Sequence, residues 1–160
     1  MSIDSTARAT LARSLAWSDA HVSLEDAARD LPPPLHGIRP AGAPHSAWEL
    51  VEHIRRTQRD ILDFCVADRY SELDWPSDYW PPTPEPPDAG AWERSLAQIA
   101  ADLRALQDLA GDPARDLSAV VDHGTDQSYL RELLLVTDHT AYHVGQLVLL
   151  RQLLRSWPAG

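Results

Sequence analysis

Residues 128–156 read SYLRELLLVTDHTAYHVGQLVLLRQLLRS. The spacing predicts one helix from near Ser128 to about Ser156, a rod of roughly 40 Å at 1.5 Å per residue. At 100° per residue, His139 and His143 lie one turn apart on the same face, and Leu135, Val136, Leu147 and Leu150 fall on that stripe. The two imidazoles therefore point toward a protein interior rather than toward water.

Working outward, three more helical stretches appear. One runs from about Asp4 to about Trp17, with a short continuation from Ser23, where Ser23-Leu24-Glu25-Asp26 resembles a capping box. A second opens at Ser46-Ala47-Trp48-Glu49, with Ser46 as N-cap and Glu49 at N3. It carries Leu50, Ile54, Ile61 and Phe64 at three- and four-residue steps and fades near Asp68. His53 sits on that apolar face with Leu50, Ile54, Thr57, Ile61 and Phe64. The third begins after Asp88 and shows Trp92, Leu96, Ile99, Leu103, Leu106 and Leu109, with Gly111 as a C′ glycine and Pro113 as a stop. Two proline clusters, Pro32 to Pro44 and Pro76 to Pro87, cannot be helical throughout. Alternating β-branched runs are absent. The fold class is therefore all-α: a four-helix bundle with long Pro-rich connections, in a single domain over residues 1–160.

Composition narrows the chemistry. The chain has 160 residues, 44% of them hydrophobic, and a formal net charge of −10. Such acidity repels phosphate backbones and anionic headgroups, which argues against nucleic acid and membrane surfaces as partners. All 14 basic residues are arginine, so Schiff-base chemistry and a P-loop lysine are excluded. The single cysteine, Cys65, forms no internal disulfide, and a cytoplasmic location is expected. Met1-Ser2-Ile3-Asp4 does not open a signal peptide, and no apolar run reaches membrane-spanning length.

Three inward imidazoles need partners, because buried unsatisfied nitrogens are costly and neighbouring imidazolium ions repel. A divalent metal resolves this: three neutral histidines bind it and leave a position open for water or substrate. The bland alternative is a set of core histidines bonded to carbonyls or to one another. Other metal classes fail on the residues present. His139-Thr140-Ala141-Tyr142-His143 lacks the glutamate of an HExxH protease. No glutamate stands three residues before any histidine, as a di-iron bundle requires. One cysteine cannot build a thiolate zinc site, and no GxSxG turn is present. His21, His36 and His45 fall in or beside connections and are expected in solvent, and His123 is expected as an exposed turn residue.

The connection after the second helix is long and carries Trp75, Tyr79 and Trp80. Long aromatic connections are often functional. It is expected to pack over one end of the bundle, where one of these rings lines the approach to the metal or all three serve as a hydrophobic plug. Arg55, Arg56 and Arg59 form a basic cluster, read either as a site for the carboxylates of a thiol cofactor or as a solvated helix face.

Two segments together resemble the DinB-like superfamily of metal-binding four-helix bundles. They are Ser46-Ala47-Trp48-Glu49-Leu50-Val51-Glu52-His53 and Asp138-His139-Thr140-Ala141-Tyr142-His143-Val144-Gly145-Gln146-Leu147. The resemblance covers nearly the whole chain. It implies a divalent ion, zinc or nickel, with metal-ligand roles on His53, His139 and His143. Relatives include bacillithiol S-transferases and mycothiol-dependent maleylpyruvate isomerase, so it also implies a low-molecular-weight thiol and a metal-dependent thiol S-transferase. The alternatives are a non-catalytic metal or small-ligand binding bundle and a structural dimer with core histidines. The resemblance further implies a homodimer. It does not imply DNA binding.

Overall fold

The structure, a computed structural model, describes residues 5–158. The start of the expected first helix at Asp4, and the residues Met1 to Asp4 read for a signal peptide, lie outside them. Five helices follow one another: α1 (Ser5–Ser14), α2 (Leu24–Ala28), α3 (Ala47–Val66), α4 (Ala91–Gly111) and α5 (Tyr129–Leu153). Among the described residues there is no named strand, and no helix is long and apolar enough to cross a membrane. The fold is an all-α bundle of α1, α3, α4 and α5, with α2 packed on α5.

The caps act as the sequence predicts at α3. The Ser46 hydroxyl accepts from the Glu49 amide at 3.2 Å, and the Glu49 carboxylate accepts from the Ser46 amide at 2.8 Å. The same hydroxyl donates to the Pro84 carbonyl at 2.6 Å, tying the second proline cluster to the start of α3. Ser46→Ala should therefore destabilise the chain by about 1–2 kcal/mol, read as a lower urea midpoint. At α2 only half a box forms. Ser23 accepts from the Asp26 amide, but the Asp26 carboxylate meets the Ser23 hydroxyl instead of reaching the cap backbone. Aspartate is one methylene shorter than the glutamate of a full box.

Three expectations are corrected. The last helix ends at Leu153 rather than about Ser156, where Arg155 takes a left-handed conformation (φ 53°). The first helix ends at Ser14 rather than Trp17; Ala16 and Trp17 turn back onto the Arg13 and Ser14 carbonyls. Gly111 is the last residue of α4, not a left-handed C′ position. The chain leaves the helix through Asp112 in extended conformation (φ −67°, ψ 111°). Asp112 precedes Pro113, and a residue before proline is pushed out of the helical region.

Packing sets the directions. One core cluster joins Trp48, Leu50 and Ile54 of α3, Trp92 and Ile99 of α4, and Val144, Leu147 and Leu150 of α5. The other joins Ile61 and Cys65 of α3, Leu106 and Leu109 of α4, and Tyr129, Leu133 and Val136 of α5. So α3 and α4 run parallel, α5 runs against both, and the connection 67–90 returns the chain to the end where α3 began. The Arg8 guanidinium donates to the carbonyls of Ala110, Asp112 and Arg115, which fixes the start of α1 at the end of α4. Because α3 and α5 are antiparallel, residues near the start of α3 meet the second half of α5. That brings His53 level with His139 and His143, inside the bundle and away from its tips.

Candidate metal centre

His53 is buried at the second turn of α3. Its Nδ1 lies 2.9 Å from the Tyr79 carbonyl oxygen. A carbonyl only accepts, so the proton is on Nδ1 and the Nε2 lone pair is turned toward His139, from which it accepts a hydrogen bond. The Trp80 indole stacks on the same ring, with centroids 3.9 Å apart and planes within 2°. His143 is held in the same way: its Nδ1 lies 2.8 Å from Gln146 Oε1, one helical turn on. The Nε2 atoms of His139 and His53 are 3.0 Å apart, and the three ring centroids are separated by 4.5–4.8 Å.

One ligand nitrogen from each of His53, His139 and His143 lies within 4.8 Å of the other two. An ion bonded to two imidazoles at about 2.0–2.1 Å sets their nitrogens roughly 3.3 Å apart at a tetrahedral angle. The His53–His139 pair is already close to that separation. Burial drives the protonation in the same direction. It lowers His53 to about 4, the Tyr79 carbonyl opposing and the charge of His143 adding. It lowers His139 to about 3, with His143 and His53 adding. Burial also lowers His143. At neutral pH the triad is uncharged, the state in which imidazoles ligate a metal. These are neutral nitrogen donors, the rings of His53 and His143 being held from behind, and they fit a divalent transition-metal ion.

These shifts set the pH dependence of the metal-free chain. The folded histidines titrate below their unfolded value of 6.5, so below that pH the unfolded chain binds more protons. Their contribution is complete above pH 6.5 and is lost as the pH falls toward 4 and then 3. The urea midpoint measured in a chelator should therefore fall between pH 7 and pH 5, before most carboxylates titrate.

The structure separates the aromatic candidates. Trp80 lies directly on a triad ring. Tyr79 serves through its main-chain carbonyl, while its hydroxyl donates to Asp60 at 2.7 Å. Trp75 is 71% exposed and touches Tyr79, with no ring contact to the triad among the described residues. Arg55 and Arg56 both pair with Glu52, and Arg59 pairs with Asp63 and Asp102.

Two histidines expected in solvent are not there. His36 is buried, 2.9 Å from the Leu31 carbonyl and stacked on Trp92 at 3.9 Å. His45 is half-buried and stacks on Trp80 at 4.0 Å. The first proline-rich connection lies on α3 and α4 instead of standing off in water: the Trp48 amide donates to the His36 carbonyl, and a side chain at Gly37 would strike Glu85. His21 and His123 are exposed, as expected.

Gln146 and the Tyr79 carbonyl were not foreseen as supports. Gln146 carried a signal, three residues after His143 and hence on the same face; a main-chain carbonyl carries none. Gln146→Leu should weaken metal binding about tenfold, measured by competition with a chromophoric chelator, with the helical circular dichroism spectrum unchanged.

A family model described as the DinB superfamily matches residues 16–147. No curated protein and no solved structure matches the chain.

Proposed function

This chain belongs to the DinB superfamily, and we propose that it holds one divalent ion, zinc or nickel, on His53, His139 and His143 and acts as a metal-dependent thiol S-transferase. The observation that carries the metal reading is the fixed tautomer of two triad rings. Both Nδ1 protons are engaged by acceptors behind the rings, which leaves Nε2 of each ring as the nitrogen for an ion. A divalent ion there would lower the pKa of a small-molecule thiol and favour its thiolate.

The chain's own residues favour an external thiol. Cys65 lies in the other core cluster, buried, and burial pushes its thiol up to about 12. The reacting sulfur would therefore come from a cofactor. Trp80 and the Tyr79 carbonyl hold His53 in place, and Gln146 holds His143. The net charge of −10 and the single buried cysteine support a small-molecule partner and a cytoplasmic setting.

A thiol-consumption assay with several electrophiles tests the reaction. Loss of thiol that requires the metal and disappears in His143→Ala supports it. A metal-loaded protein with no thiol loss would be a non-catalytic binding bundle.

We also propose a homodimer. Leu134, Tyr142, Leu149 and Leu153 are exposed on one outward face of α5, as a two-fold helix interface requires. Light scattering should give twice the chain mass at micromolar concentration, and a single-chain mass would contradict the pairing.

A further inference from the structure

A cavity of about 360 Å³ lies between α3, α4 and the segment Pro81 to Pro87. Three arginines line it (Arg55, Arg56 and Arg94), with one carboxylate, Glu52. Asp88 pairs with Arg94 from outside the wall, so three arginines and two carboxylates leave one positive charge in excess in a chain of net charge −10. Both oxygens of Glu52 are engaged. Oε1 accepts from Arg55 Nε at 2.7 Å and from the Ser95 hydroxyl at 2.5 Å; Oε2 accepts from Arg55 Nη2 at 3.0 Å and Arg56 Nε at 3.3 Å. The buried carboxylate thereby fixes two guanidinium groups at the cavity wall.

Donors are left over. Arg55 Nη1 and Arg56 Nη2 have no acceptor among the described residues. Arg94 uses Nη2 on Asp88 at 2.6 Å, and its Nε and Nη1 have none. Trp48, part of the same wall and 4% exposed, has an indole N–H without an acceptor among the described residues. The rest of the wall includes Pro81, Pro82 and Pro87, which are apolar. Oriented guanidinium forks match a carboxylate in a bidentate manner, and the proline surface suits a hydrocarbon body.

We propose that this cavity binds a small organic carboxylate. The proposal does not depend on the metal reading, although Glu52 and Pro81 adjoin His53 and Trp80 in sequence, so one helix and one loop would serve both sites.

Isothermal titration of the full-length chain with succinate tests it, with succinamide as the uncharged counterpart and inorganic phosphate as the other anion. Succinate should bind saturably, and succinamide about tenfold more weakly or worse. Arg94→Gln, a change at an exposed side chain that leaves the Glu52 cluster whole, should weaken succinate by about tenfold. Arg104→Gln, exposed on α4 and outside the cavity wall, should not change it. His143→Ala should keep succinate binding. Equal binding of succinate and succinamide would overturn the proposal, as would wild-type affinity in Arg94→Gln. Loss of binding in His143→Ala but not in Arg94→Gln would place the anion at the triad and overturn it as well. Phosphate binding more tightly than succinate would overturn the carboxylate assignment.

Discussion

Replacing His143 with alanine should leave the purified chain nearly metal-free, where the wild-type chain carries about one equivalent, and should weaken added zinc by about 100-fold or more. The size follows from the geometry. His143 supplies one of three converging nitrogens, and nothing else within the cluster replaces it among the described residues. Removing a support behind a ligand costs about 10–100-fold; removing the ligand must cost at least the upper end. The fold should survive, because Gln146, which loses its partner, is half-buried and its amide can reach water. Elemental analysis after dialysis reads the stoichiometry, and chelator competition reads the affinity. Full metal content in His143→Ala, with a normal melting curve, would mean that the ion sits elsewhere.

Arg151→Ala should produce the largest loss of stability, about 3–5 kcal/mol. The Arg151 side chain is almost wholly buried near the end of α5. Its Nη1 donates to the Ala27 carbonyl at 2.7 Å and the Arg29 carbonyl at 2.8 Å, and its Nη2 donates to the Ser156 carbonyl at 2.8 Å. The guanidinium also lies over the Trp157 ring at 5.1 Å. One cation thus closes the end of α2 and the turn after α5 onto the same point. Alanine leaves three carbonyls without their donor and a cavity where the stem was. Arg151→Met, which keeps most of the volume, should recover part of the loss and separate packing from hydrogen bonding. Urea unfolding measures both. A change of less than about 1 kcal/mol in Arg151→Ala would show that water replaces the guanidinium at those carbonyls.

The helices and the triad were legible because both depend on periodicity. Ser46 and Glu49 marked the start of α3, and the four-residue step from His139 to His143 placed both rings on the stripe of Leu135, Val136, Leu147 and Leu150, of which the structure buries all but the half-buried Leu135. Periodicity assigns a face but not the neighbour on it. That α3 and α4 run parallel, so that Glu52 meets Ser95 and Gln58 meets the Ile99 carbonyl, depends on the long connection between them. The burial of His36 and His45 was hidden for a related reason: a proline-rich segment reads as a solvated loop unless its packing partner is known, and here the partners, Trp92 and Trp80, are far off in sequence. The Arg55, Arg56 and Arg59 cluster read either as a site for carboxylates or as a solvated helix face. Its carboxylate partners include Glu52 and Asp63, within helical reach, and Asp102, which only the fold brings near.

X-ray absorption at the metal edge of the loaded, full-length chain tests the metal assignment most directly, since it counts the ligands without relying on a variant. The triad predicts three imidazole nitrogens at about 2.0–2.1 Å, together with a light-atom or sulfur ligand in the open position. A shell of oxygens without imidazole scattering, or a single imidazole, would contradict the assignment of His53, His139 and His143 as the metal's ligands.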